Sequence, residues 1–134
     1  MKIIAMAAVA IVLGLATVSV ARAGTASGTT AIVGGVAHAN TPTDVDVSIV
    51  GGAPSVPYEY SLINRCWFSG KTSGPSDSYE RFDLFGPWFD VGGVPHMTVT
   101  VNNNPVSAGA NCKVLLIHNN TVVKGSTTAY SVVP

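Results

Sequence analysis

The sequence has few charged side chains and no run of basic residues. Asp, Glu, Lys and Arg make up 10% of its 134 residues, against about 25% in a typical soluble domain. Seven basic and seven acidic side chains give a formal net charge of zero. Because nucleic acids and anionic membrane surfaces are bound by basic patches, the sequence favours neither as a partner.

Motifs of active sites, cofactor sites and metal sites are lacking as well. No Gly-x-Ser-x-Gly elbow presents a serine nucleophile, and Gly51-Gly52 lacks the strand-then-helix context of a phosphate-binding loop. His38, His96 and His118 are far apart, so no two of them have the spacing of metal ligands on one strand. We expect no enzyme activity, no cofactor and no metal site.

The amino terminus has the features of a secretory signal. Met1-Lys2 precedes an uncharged run from Ile3 to Val20, and Ala21-Arg22-Ala23 matches a small-x-small cleavage site. We predict cleavage before Gly24 and a protein that is secreted or held in the cell envelope. The run also approaches the roughly 17–25 residues of a membrane span, so a retained anchor is the alternative, and only that form would contact a membrane.

The chain divides into three segments. Residues 1–23 are the signal peptide or anchor, residues 24–42 are a flexible leader of small residues, and residues 43–134 are the folded domain. Within the leader, Gly24 to Thr30 is expected to be flexible, and Ala31 to Val36 can form a short edge strand. Without residues 1–23 the formal charge is about −2.

Both cysteines, Cys66 and Cys112, lie in the exported part. An even number of cysteines in an oxidising compartment favours one disulfide. Closing a loop of about 47 residues would remove roughly 4 kcal/mol of conformational freedom from the unfolded chain. We predict a structural disulfide, with two free thiols as the alternative, because no Cys-x-x-Cys spacing supports redox chemistry.

Two stretches carry the strongest strand patterns. From Thr43 to Val50, valine and isoleucine alternate with Asp44, Asp46 and Ser48, which predicts a half-buried strand. Its solvent-facing side accounts for the two carboxylates, so a calcium site is not needed to explain them. This strand is expected to form a hairpin with the run from Pro57 to Ile63.

The second stretch is the centre of the predicted fold. Asn111 to His118 is apolar on both faces, which indicates a central strand, and Asn119-Asn120 fits a two-residue hairpin turn. Pro95 to Asn102 adds another alternating strand. In total, about seven short strands and no helix after the signal predict an all-β, single antiparallel β-sandwich of immunoglobulin-like form. A small closed barrel is the alternative.

The aromatic cluster between Phe68 and Phe89 is the candidate functional stretch. Most of its rings are needed for the core, but Phe85, Trp88 and Phe89 are the candidate surface for a ligand or partner. Because Trp88 and Phe89 are adjacent, an extended backbone points them to opposite faces. We expect Trp88 inside, where Trp88→Ala would cost about 3–5 kcal/mol, and Phe89 outside.

The order of several short motifs is similar to a known family. They are Val45 to Gly51, Val56 to Tyr60, Pro87-Trp88, Met97 to Val101, and Asn111 to Ile117 followed by a turn and Thr121-Val122-Val123. Together they resemble the extracellular domain of the small mycobacterial membrane proteins of the MmpS type. The resemblance implies a β-sandwich after a membrane anchor, and a role beside large exporters of lipids and siderophores.

These observations predict a non-enzymatic binding or accessory module of the cell envelope or the exterior. Its expected partner is an envelope protein or an apolar ligand, and the sequence indicates no oligomeric state. A purely structural surface protein and a small secreted hydrolase are the alternatives. A binding module needs an apolar surface beside Pro87-Trp88, whereas a hydrolase needs a histidine or carboxylate pair in a cleft.

Overall fold

The computed structural model describes residues 27–50, 59–102 and 107–134. The predicted signal segment, its cleavage site and the start of the leader lie outside these ranges. The described residues form ten β-strands and no helix. The strands are β1 (Ser27–Ile32), β2 (Ala37–His38), β3 (Thr43–Val50), β4 (Tyr60–Trp67), β5 (Ser78–Leu84), β6 (Phe89–Val91), β7 (Val94–Val101), β8 (Asn111–His118), β9 (Thr121–Val122) and β10 (Thr128–Val133).

The strands make two sheets. Sheet 1 has the order β1-β3-β7-β6, and sheet 2 has the order β2-β10-β8-β4-β5, with β9 also paired to β8. All pairs are antiparallel except the short β2–β10 pair. The expected all-β, largely antiparallel architecture is therefore confirmed.

The main core draws side chains from both sheets. Val45, Val47 and Ile49 of β3 belong to the same buried cluster as Leu62 of β4 and Leu116 of β8. On β3 these positions alternate with Asp44, Asp46 and Ser48, so the predicted division of its faces is confirmed. The hydrophobic residues of β3 therefore face sheet 2, and its polar side chains form part of the outer face of sheet 1.

The predicted centre of the fold is the centre of sheet 2. β8 pairs with β4 along its whole length, and on its other side with β10 and β9. Asn119 and Asn120 adopt φ angles of 50° and 62° between His118 and Thr121, which pair across the turn. The predicted two-residue hairpin turn requires this left-handed conformation, which asparagine tolerates. The predicted hairpin is therefore confirmed.

One predicted pairing is wrong. The strand from Thr43 does not form a hairpin with the strand that follows it, because β3 pairs with β1 and β7, whereas β4 pairs with β5 and β8. The chain thus passes from sheet 1 to sheet 2 between them, and residues 51–58 of this connection lie outside the described ranges. Alternation along a strand indicates which side chains are buried, but it does not identify the neighbouring strand.

The leader is also corrected. A strand begins at Ser27 and ends at Ile32, so Ser27 to Thr30 are paired with β3 and are not a flexible segment. Gly28 makes this possible, since a Cβ there would lie 2.5 Å from the carbonyl oxygen of Ser48 and 3.1 Å from Leu116. Glycine lets β1 lie close to sheet 2, which it meets at a bridge between Ser27 and Lys124.

The predicted disulfide is present. Cys66 of β4 and Cys112 of β8 lie directly opposite each other, both buried, and their sulfur atoms are 2.14 Å apart. The bond connects two neighbouring strands of sheet 2. It also fixes the register of the pair that forms the middle of that sheet.

Candidate functional site

The candidate aromatic residues lie where the chain crosses from sheet 2 to sheet 1. β5 ends at Leu84 in sheet 2 and β6 begins at Phe89 in sheet 1, so residues 85–88 join the edges of the two sheets. The Gly86–Pro87 peptide bond in this connection is cis. Phe85, Trp88 and Phe89 together are called the aromatic surface below.

The rings of the aromatic surface differ in burial. Trp88 is half-buried and packs against the main core from its rim, whereas Phe85 is 65% and Phe89 49% exposed. Val91, two residues after Phe89, is also exposed, so three of the eight large exposed hydrophobic residues in the described ranges lie within seven positions. The chain therefore presents a local concentration of apolar side chains to solvent, next to a ring that the core holds in place.

Phe89 belongs to a row of side chains on the outer face of sheet 1. The strand registers place Thr29, Ser48, His96 and Phe89 side by side across β1, β3, β7 and β6. The His96 ring lies 5.8 Å from that of Phe89, and its Nδ1 is 3.0 Å from the carboxylate of Asp46. The aromatic surface thus continues into a histidine–carboxylate pair.

Together with Asp46, this row contains the residue types of a hydrolytic triad but not its arrangement. Ser48 is 6% exposed, and its hydroxyl hydrogen-bonds to the hydroxyl of Thr29 instead of the ring of His96. A triad needs the serine bonded to the histidine, beside a site that holds the substrate carbonyl. We therefore interpret Asp46 and His96 as a cross-strand pair on an open sheet face.

A second histidine–carboxylate pair lies at the end of sheet 2. His118 Nε2 is 3.2 Å from Glu59, and its ring stacks on Tyr60 at 4.5 Å between centroids. Burial, together with the charge of Glu59, raises the pKa of Tyr60. Across residues 27–50, 59–102 and 107–134, no group of three or more His, Cys, Asp and Glu side chains could hold a metal ion.

A buried hydrogen-bond network lies between the two sheets. Tyr130 donates to Asn64, which is 1% exposed, and Asn64 donates to Glu80 at 3.0 Å. Glu80 also accepts from the backbone N–H of Asn102, just after β7. Burial raises the pKa of Tyr130 to about 12. Because each buried polar group has a partner, the network has a structural role, linking sheet 2 to sheet 1.

A small pocket opens on the outer face of sheet 2, between β8, β10 and the loop after β4. Its volume is about 180 Å³, and Trp67, Thr72, Asn111, Lys113 and Ser131 are among the residues that line it. The Lys113 ammonium nitrogen lies 5.6 Å from the centroid of the Trp67 ring. This site was not anticipated from the sequence.

The disulfide could have pointed to the pocket. If Cys66 and Cys112 are opposite each other in antiparallel strands, Trp67 must be opposite Asn111 and Arg65 opposite Lys113, as the structure has them. The pairing of the cysteines was predicted, but their direct opposition was not. Without the register, residues more than forty positions apart carry no signal that they share a surface.

Comparisons with protein-family models, curated proteins and solved structures find no match for this chain. The resemblance to the MmpS-type domains therefore depends on the short motifs alone. In the part of the chain that the structure describes, no helix has the length and apolar character needed to cross a membrane.

Proposed function

We propose that the protein is a non-enzymatic binding module that acts outside the cytoplasm, secreted or in the cell envelope. The observation that carries this proposal is the aromatic surface, with Phe85 65% and Phe89 49% exposed beside the half-buried Trp88. Covering a phenylalanine ring contributes about 1.5–3 kcal/mol. An apolar ligand, or an apolar patch of an envelope protein, is the partner that such a surface fits.

The geometry of the polar groups supports binding better than hydrolysis. Both histidine–carboxylate pairs, His96 with Asp46 and His118 with Glu59, involve strand residues or their immediate neighbours. Ser48, the serine beside His96, is bonded to Thr29 instead of to the histidine. A hydrolase needs these groups gathered around a substrate site. The exposed rings, in contrast, need only a partner that removes them from water.

The disulfide agrees with the proposed location. Cys66 and Cys112 are bonded, and structural disulfides form and persist in oxidising compartments. By its resemblance to the MmpS-type domains, the module would accompany an exporter of lipids or siderophores.

We also propose that the sandwich is immunoglobulin-like. In immunoglobulin domains one sheet has the strand order A-B-E-D, and the other has G-F-C with C′ added in the variable type. The orders β1-β3-β7-β6 and β10-β8-β4-β5 follow the same sequence of strands along the chain. The disulfide differs, since it connects the strands equivalent to C and F, whereas antibody domains join B to F.

The test replaces the exposed rings and measures capture. A Phe85→Ser/Phe89→Ser variant is expected to lose the protein or lipid that the wild type retains from solubilised native envelope, without a change in melting temperature. Tyr79→Ser/Val122→Ser is the matched control, because it removes two equally exposed hydrophobic side chains from sheet 2. The captured material is identified by photo-crosslinking from position 89.

Trp88→Ala tests how much the half-buried ring contributes to stability. Because the Trp88 ring is only half-buried, we expect the substitution to lower the free energy of unfolding by about 2 kcal/mol, less than for a fully buried ring. Retention of the same partner by the Phe85→Ser/Phe89→Ser variant, or its loss in the Tyr79→Ser/Val122→Ser control, would reject the aromatic surface as the binding site.

A further inference from the structure

We propose that the pocket on the outer face of sheet 2 binds the carboxylate of a small organic acid. The pocket shares no residue with the aromatic surface, so this inference does not depend on the proposed function. Its central groups are Lys113 and Trp67, which neighbouring strands β8 and β4 place on one face of the sheet.

The ammonium group of Lys113 is available to an anion. Its nitrogen lies over the Trp67 ring at 5.6 Å from the centroid, and no carboxylate of the described residues forms an ion pair with it. An ammonium has three N–H donors, and a ring that covers one side of it leaves the N–H groups on the other side able to bond an anion. Lys113 is half-buried, which weakens the screening of its charge by water.

The surroundings of Lys113 favour negative charge. Arg65 is its direct partner across the strands, and the Arg65 guanidinium lies over the ring of Tyr79 at 5.7 Å. The nearby carboxylate of Asp77 accepts the backbone N–H of Phe68. Two adjacent cations thus lie on this face of sheet 2, and neither forms an ion pair with a carboxylate of the described residues.

The wall of the pocket is held in position before any ligand binds. The indole N–H of Trp67 donates to the carbonyl of Gly74 at 3.0 Å, so the loop after β4 covers the ring and leaves Trp67 only 4% exposed. Asn111 donates to the carbonyl of Lys71, which ties the same loop to β8. A site already ordered in this way loses little conformational freedom when it binds.

Size and charge decide the class of ligand. A volume of about 180 Å³ is below the roughly 300–1,000 Å³ of a site for drug-sized molecules. Phosphate dianions are typically bound by arginine clusters or backbone N–H groups, whereas here a single lysine lines the pocket, with the hydroxyl of Thr72 as a further donor. The methyl group of Ala129, beside the covered ring of Trp67, suits the carbon part of an organic monoanion.

The experiment compares two molecules of nearly the same shape, benzoate and neutral benzamide. In two-dimensional ¹H–¹⁵N spectra of the disulfide-bonded full chain, benzoate is expected to shift the Trp67 indole signal and the amides of Asn111 and Lys113 until the shifts saturate. Benzamide is expected to leave them unchanged. A Trp88→Phe variant assigns the indole signal of Trp67. Equal shifts with benzamide, or no saturable shift with benzoate, would overturn the proposal.

The variants test the role of Lys113. Lys113→Met keeps an unbranched apolar side chain and removes the charge, and it is expected to weaken benzoate binding by about tenfold or more, the loss of one charge-assisted hydrogen bond. Lys124→Met makes the same change at an exposed lysine outside the pocket and should leave the affinity unchanged. Equal weakening by both would mean that the net charge, not the pocket, binds the anion.

Two further variants keep the test decisive. If Lys113→Met lowers the melting temperature, Thr72→Val, on the exposed loop, must still weaken binding, and unchanged affinity in Thr72→Val would then count against the pocket. The Phe85→Ser/Phe89→Ser variant is expected to bind benzoate like the wild type. Failure of the pocket and failure of the aromatic surface are thereby distinguished.

Discussion

Sheet 1 and sheet 2 contribute similar aliphatic side chains to the core, but their outer faces differ. The outer face of sheet 1 carries Asp44 and Asp46. The carboxylate of Asp44 accepts a hydrogen bond from Thr100, and that of Asp46 pairs with His96. On the outer face of sheet 2, Ile63 and Trp67 are both only 4% exposed, and the cations of Arg65 and Lys113 lie on aromatic rings.

This difference is already visible in how the strands alternate. In β3 the residues at every second position from Thr43 to Ile49 are buried, and the aspartates between them reach solvent, as in a strand with one covered face. β4 is buried at seven of its eight positions, so both of its faces are covered. The pocket lies on this covered outer face of sheet 2.

The difference in packing between the inner and outer faces of sheet 2 can be tested on a single strand. Leu116 of β8 is fully buried between the sheets, and Leu115 beside it lies half-buried on the outer face. We expect Leu116→Ala to lower the free energy of unfolding by about 3–5 kcal/mol and Leu115→Ala by about 1 kcal/mol, because only the first leaves a cavity in the core.

Denaturation in urea measures both leucine variants. Similar losses would mean that the outer face of sheet 2 is packed as tightly as its inner face. A larger loss for Leu115→Ala would show that the main core does not lie between the sheets.

The disulfide tests how far sheet 2 depends on its covalent link. Replacement of both Cys66 and Cys112 by alanine opens a link between residues 46 positions apart. We expect a loss of about 2–4 kcal/mol, since the unfolded chain regains the freedom that the link removed. Thermal melts with and without a reductant provide the measurement. The reductant should lower the melting temperature of the wild type only, and an equal effect on the double variant would point to another cause.

The smallest expected loss of stability concerns the hydrogen-bond network of Tyr130, Asn64 and Glu80 between the sheets. Burial raises the pKa of Tyr130 to about 12 from an ordinary value of 10.0. The folded state therefore holds the phenol proton more tightly than the unfolded chain does. Its contribution to stability is complete below pH 10 and is lost as the pH rises from about 10 to about 12.

Tyr130→Phe is expected to flatten the fall in melting temperature over this pH range. Near neutral pH it should cost about 1 kcal/mol, because the buried Asn64 oxygen loses its donor. Tyr79→Phe, at an exposed ring of sheet 2, is the control. Since the pKa of Tyr60 is raised as well, some decline should persist in all variants, and an unchanged curve for Tyr130→Phe would remove Tyr130 from this account.

Local features of the fold followed from the sequence where the physical cause is local. Asn119-Asn120 is a hairpin turn because asparagine tolerates positive φ, and β8 is central because both of its faces are apolar. The Cys66–Cys112 bond followed from the number of cysteines and the predicted export. The start of β1 at Ser27 did not follow from the sequence, because the first four residues of the strand are serine, glycine and threonine and have little hydrophobic pattern.

The sequence by itself therefore determined which residues prefer strands, where one turn lies and which cysteines are bonded. Only the tertiary structure decided that β3 and β4 lie in different sheets, that Trp88 is only half-buried against the core, and that Trp67 and Lys113 meet at one pocket. The physical reason is the range of the interactions. Propensity and alternation act over a few neighbouring residues, whereas strand partners and shared surfaces arise between residues that are distant in the chain.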